Sequence, residues 1–122
     1  MSPSNLLRIK TYSFFMFAKK IRLFLRGQAK DRYYELGKPI LNSFFRVKDI
    51  LKENPHYGNP IAKKLIPKSL KRIGIKRLFR VELSNYWRLL YTIEGTEAEI
   101  YVFVLYIVDH KEYNKLFGYK NR

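Results

Sequence analysis

Residues 98–108, AEIYVFVLYIV, constrain the fold of this chain more than any other stretch. From Ile100 to Val108 both alternating sets of positions are apolar, so a strand built here has two faces that must leave water. The pattern predicts a central strand covered on both sides. Two neighbours come just before it. In residues 78–84, Phe79, Val81 and Leu83 alternate with Arg80 and Glu82, which leaves one charged, accessible face. Residues 87–93, WRLLYTI, form the next strand, and Glu94-Gly95-Thr96-Glu97 turns it into the last. The result is a meander of three consecutive strands.

Ahead of the meander, residues 20–26 (KIRLFLR) alternate apolar and basic side chains and read as a further strand. Residues 28–36 place Ala29, Tyr33 and Leu36 on one helical face before Gly37. Pro39 stands in the first turn of a second helix, where Ile40, Phe44, Val47 and Leu51 recur at steps of four and three. Asn54-Pro55 ends it, because the residue before proline is pushed out of helical geometry. Residues 56–60 are turn chemistry. Residues 61–74, with Pro67 and no clean periodicity, read as a basic loop with one helical turn, and regular structure resumes at Leu78. Residues 110–117 form a terminal helix or turn that stops at Gly118. The order predicts an α+β domain: a small antiparallel sheet of about four strands, two N-terminal helices packed on one face, and a short C-terminal helix.

With 122 residues the chain has material for one core. Residues 12–18, YSFFMFA, follow Arg8 and Lys10 as a signal peptide might. The run ends after seven residues at Lys19 and Lys20, whereas a spanning helix needs about 20. Residues 1–18 therefore read as an N-terminal extension or a misassigned start, Met16 being a natural first residue, with the domain over 19–122 and a cytoplasmic setting. No Cys is present, which removes disulfides, thiolate zinc ligands and a Cys nucleophile. The two histidines, His56 and His110, are too few for a typical zinc site. No metal and no cofactor are expected.

Charge points to a partner. Lys and Arg number 25 against 10 acidic residues, a formal net charge of +15. A compact body so cationic repels itself unless a polyanion relieves it. The layout is uneven: Lys63, Lys64, Lys68, Lys71, Arg72, Lys76, Arg77 and Arg80 follow one another with no acid between them, a footprint for RNA phosphates. A solvated face is the bland alternative. The acids Asp31, Glu35, Asp49 and Glu53 belong to ordinary solvated helices. An amphipathic membrane-surface protein would rest on the aromatic N-terminus and the basic charge, and no membrane partner is expected.

Several words of the sequence resemble RelE/ParE superfamily toxins of toxin-antitoxin systems, in particular a RelE-like, archaeal-looking branch. They are AKDRYYEL at 29–36, LKENPHYG at 51–58, KLIPK at 64–68, RVEL at 80–83 with YWRLLY at 86–91, and DHKEY at 109–113. The most telling pair is the strand Arg80-Val81-Glu82-Leu83 followed by Trp87-Arg88 and Tyr91. The resemblance implies a RelE-like fold and an mRNA endoribonuclease, usually acting on the ribosome and held inactive by an antitoxin. Some members poison DNA gyrase instead. It places Arg80 where nuclease members carry a strand Lys or Arg, and Arg88 at the Arg of the aromatic-Arg word. Glu82 departs from the family, which commonly has a second basic residue there, and the spacing of His110, Lys111 and Tyr113 is tighter than usual.

Metal-free RNA cleavage needs one proton taken, one given and negative charge offset at phosphorus. Arg80 and Arg88 suit the phosphate, since guanidinium groups can clasp its oxygens bidentately. His110 or Tyr113 suits the proton transfers, and Lys111 adds supporting charge. Each has a plainer alternative: a cap or surface role for His110, and a cross-strand ion-pair ladder for Arg80, Glu82 and Arg88. His56 reads as a turn residue. Phe44, Phe45, Trp87 and Phe103 read as core, Tyr33 and Tyr34 as core or partner-facing, and Tyr57 as a base-stacking candidate. The expected partners are mRNA, the ribosome and an acidic, partly disordered antitoxin that relieves the positive surface. A non-catalytic binding module of the same fold is the second hypothesis.

Overall fold

The computed structural model describes residues 19–120; the extension read over 1–18 lies outside the described residues. Five strands run β1 (Lys20–Leu25), β2 (Asn59–Pro60), β3 (Phe79–Glu82), β4 (Arg88–Gly95) and β5 (Glu99–Val108), and four α-helices accompany them: α1 (Gly27–Tyr33), α2 (Lys38–Glu53), α3 (Lys68–Arg72) and α4 (His110–Phe117). They form one sheet in the order β1-β5-β4-β3-β2. The α+β class holds. The expectation of about four antiparallel strands does not, for two physical reasons.

First, β1 runs parallel to β5, with Arg22 opposite Tyr101 and Phe24 opposite Phe103. Alternation fixes which face a side chain takes and says nothing about the direction of the partner strand. Second, Asn59 and Pro60 pair with Arg80 and Phe79 inside what reads as a turn. Proline has no N–H to give, so this pair is confined to the sheet edge.

Each face of the sheet carries its own core. On one, Ala29 of α1 and Ile40, Phe44, Val47 and Leu51 of α2 pack on Phe79, Val81, Leu89, Tyr91, Val102, Val104 and Ile107. The helical stripe read from the sequence is thus the buried stripe. On the other, Ile66, Leu70, Ile75 and Leu78 join Leu90, Leu105, Val108 and Tyr113 of α4. The basic stretch therefore packs as a lobe on the second face, with a 3₁₀ turn over Lys63–Leu65 and the short α3. Pairing along β4 and β5 slips between Leu90–Tyr106 and Tyr91–Val104, so Leu105 is an extra residue and turns to the second face beside Tyr106. Cover of that face stops short: Tyr101 and Phe103 stay half-exposed, against the expectation of a strand covered throughout. Phe45, expected in the core, is exposed.

Beyond the end of β1, the side chain of Gln28 takes the place of a strand. Its Nε2 donates to the Ile107 carbonyl at 3.0 Å and its Oε1 accepts from the Ile107 N–H at 2.9 Å. Tyr91 has no exposed surface, and its hydroxyl donates to the Pro55 carbonyl at 2.7 Å and accepts the Gly58 N–H at 2.9 Å. A Cβ on Gly58 would lie 2.8 Å from the Tyr91 ring, so only glycine admits this approach.

The β3–β4 connection is a tight hairpin, with the Leu83 N–H donating to the Trp87 carbonyl at 2.7 Å. Asn85 and Tyr86 both take positive φ, 58° and 63°. Asn tolerates that region, whereas an aromatic residue is strained in it by about 1–2 kcal/mol. Tyr86→Gly is expected to raise stability by about 0.5–1 kcal/mol after the entropy lost by glycine, read as a thermal midpoint a few degrees higher. A lower midpoint would refute the strain.

Candidate functional site

Arg80 on β3 and Arg88 on β4 turn to the same face of the sheet, because Glu82 pairs with Arg88 across the strands and Arg80 stands two residues before Glu82. Their guanidinium groups flank one carboxylate: Arg80 Nε lies 3.2 Å from Glu82 Oε1 and Arg88 Nε lies 3.3 Å from Oε2. Both Nε atoms are shut from solvent, and these are charge contacts whose angles fall outside hydrogen bonding. The ion-pair ladder open at the sequence level is therefore present, with Glu82 shared by both arginines. Its carboxylate is half-exposed. Arg80 Nη1 donates to the Tyr113 hydroxyl at 3.2 Å, and that bond raises the Arg80 pKa above its ordinary value against the opposing effect of burial. The Arg88 guanidinium carbon lies 4.3 Å from the centre of the Tyr113 ring.

Tyr113 and His110 reach the site because α4 begins with a capping box. Asp109 accepts the Glu112 N–H at 2.8 Å, and the Glu112 side chain accepts the Asp109 N–H at 3.0 Å. Glu112 also pairs with Arg32 of α1, which lies over the Trp87 ring. Gly118, with φ 75°, closes the helix in the left-handed conformation. Fixed this way, His110 presents Nδ1 at 3.0 Å from Arg88 Nη1. A guanidinium can only donate, so Nδ1 accepts and the neutral ring carries its proton on Nε2; Asn114 Nδ2 lies 3.3 Å from that nitrogen, and the contact is a hydrogen bond only with the amide turned so that its oxygen accepts. Asn114 is a site residue that sequence reading missed; its position four residues after His110 on one helix was the available signal.

Arg80, Arg88, His110 and Tyr113 thus come together, with Tyr113 buried in the floor. Lys111 does not join that network. It is exposed and shares the wall of a hollow of about 650 Å³ with Arg88 and His110. Tyr57, half-exposed, lines a separate hollow of about 330 Å³ with Arg80 and Glu82. His56 is a turn residue: its N–H donates to Asn54 Oδ1 at 3.2 Å.

The seven other basic residues are all exposed on the lobe. Lys63, Lys64, Lys71 and Lys76 line a hollow of about 390 Å³, and Lys63, Lys76 and Arg77 line another of about 400 Å³ with His56. Among the described residues no carboxylate lines either hollow, in contrast to the site of Arg80 and Arg88. Lys68 and Arg72 lie on α3 outside both. Among the described residues no helix is long and apolar enough to cross a membrane. No protein-family model matches the chain, and no curated protein and no solved structure matches it.

Proposed function

We propose that the chain is a metal-independent endoribonuclease of the RelE-like kind, the toxin of a toxin-antitoxin pair that cuts ribosome-bound mRNA in the cytoplasm. The convergence of Arg80 and Arg88 on one face beside His110, in a chain that also carries an acid-free basic lobe, supports this reading. The lobe holds the RNA backbone and the two guanidinium groups take the scissile phosphate, where negative charge grows as the ribose 2′-oxygen attacks and the 5′-oxygen leaves. Glu82 and His110 are the groups placed to take and give the two protons. Tyr113, buried and accepting from Arg80, acts as a positioning residue. Lys111 adds charge at the rim. The partner that silences such a surface is an acidic, partly disordered antitoxin.

Incubating the purified protein with RNA in the presence of EDTA, with and without ribosomes, tests the reading. Fragments ending in a 2′,3′-cyclic phosphate, with 5′-hydroxyl partners, are the expected result. RNA left intact in both arms would overturn it. A second reading, a binding module without catalysis that holds rRNA or another target, is favoured by the way Glu82 occupies the Nε edges of both arginines. Tight binding of intact RNA is its signature.

A further inference from the structure

Helical cover of the second face of the sheet ends before β5 begins, and what it leaves open is aromatic. Phe24 and Phe103 stand opposite each other on the parallel strands β1 and β5, with ring centres 5.6 Å apart and planes 28° from parallel. Tyr101 lies 6.1 Å from each. Phe24 is 42 % exposed, and its neighbours are half-exposed. The guanidinium of Arg26 covers Phe103 at 4.2 Å from the ring centre. Arg22, opposite Tyr101, holds Glu99 at 3.1 Å, and Glu99 also accepts the Tyr101 hydroxyl at 2.6 Å. The nearest carboxylate is therefore already engaged.

We propose that Phe24, Tyr101 and Phe103 form a base-stacking platform for single-stranded RNA, outside the arginine site and continuous with the basic lobe. Three rings on adjacent strands, bordered by arginines in a chain of net charge +15, match a ligand with flat faces and a polyanionic backbone. A duplex keeps its base faces inside the helix and offers only those of its two end pairs. The platform also has an exit. Arg26 lines a hollow of about 360 Å³ together with Ile73, Ile75 and Tyr106, and Ile75 lines the lysine hollow of the lobe as well. Glu94 lines that passage too, a carboxylate beside which the backbone must pass. The inference rests on the RNA reading above for the identity of its ligand and deepens it. Its role is to hold a strand away from the scissile phosphate.

The test is the affinity for a fluorescent 2′-O-methyl oligoadenylate, which lacks the attacking hydroxyl and so reports binding alone. Phe24→Leu, which keeps an apolar side chain but no ring, is expected to weaken binding about fivefold or more, the loss of one base stacked on an aromatic ring. The slope of affinity against salt should stay as in the wild type, since no charge is removed. Affinity for a blunt 2′-O-methyl duplex should not change. Tyr101→Leu provides a second readout, and thermal unfolding of both variants checks the fold. Wild-type affinity for the oligoadenylate in both variants would overturn the platform and leave the arginine site untouched. Failure of the wild-type protein to bind the oligoadenylate at low salt would overturn both RNA readings.

Discussion

Arg88→Ala is expected to lower the rate of RNA cleavage by about 10²–10³-fold, the usual loss when one preorganised donor to a developing oxyanion is removed. The side chain is largely buried, and its guanidinium touches Glu82, His110 and the Tyr113 ring. Truncation removes the proposed phosphate ligand, frees the His110 ring from the bond that orients it, and leaves Glu82 to Arg80 alone. Because a buried arginine also packs, Arg88→Lys is the necessary companion: it keeps the charge but loses the planar fork, and activity should fall about tenfold. Single-turnover cleavage and circular dichroism on the same samples decide the matter. On the toxin reading, cells expressing the wild-type chain alone should stop growing, and cells expressing Arg88→Ala should not. Full activity in a folded Arg88→Ala protein would remove this residue from the chemistry.

Tyr91→Phe is expected to cost about 2–4 kcal/mol of stability, because the Gly58 N–H and the Pro55 carbonyl lose their shared partner and a buried unsatisfied group costs about 1–3 kcal/mol. In a domain of this size that lowers the thermal midpoint by roughly 8–16 °C. The loss has a pH signature. Burial raises the Tyr91 pKa above its ordinary value, with the Gly58 N–H working the other way. The native state thus keeps a proton that the unfolded chain releases near pH 10, as an ordinary tyrosine does. The contribution is whole below that pH and declines as the pH rises past it. Denaturant melts of both proteins across the alkaline range should show the gap between them narrowing above about pH 10. A gap that widens there would contradict the assignment.

How much of this was legible in the sequence depends on what a pattern can encode. The stripe Ile40, Phe44, Val47 and Leu51 named the buried face of α2, because helical spacing fixes direction on the helix. Alternation put Arg80 and Glu82 on one side of β3. The parallel partnership of β1 with β5 was invisible, since either direction of approach satisfies the same alternation. The double apolar face of β5 was read as buried throughout. Only packing in three dimensions decides how far a short basic lobe and α4 reach, and the rings of Tyr101 and Phe103 lie past their limit. Within the site, Glu82 was a departure on paper, and its carboxylate is the point where both guanidinium groups meet. The left-handed Tyr86 was hidden because turn chemistry is read from Gly and Asn, and a tyrosine there breaks the rule.

The Gln28 amide has one more consequence. By saturating both main-chain groups of Ile107, it plugs the stretch of β5 that outruns its neighbour, so no foreign segment can zip onto the sheet there. Among the described residues the rim on that side is β1, which bears Lys20 and Arg22, the latter drawn to Glu99 on β5. Two copies meeting along it would bring Lys20 of each near the other's basic side chains, a charge pattern that disfavours edge-to-edge pairing.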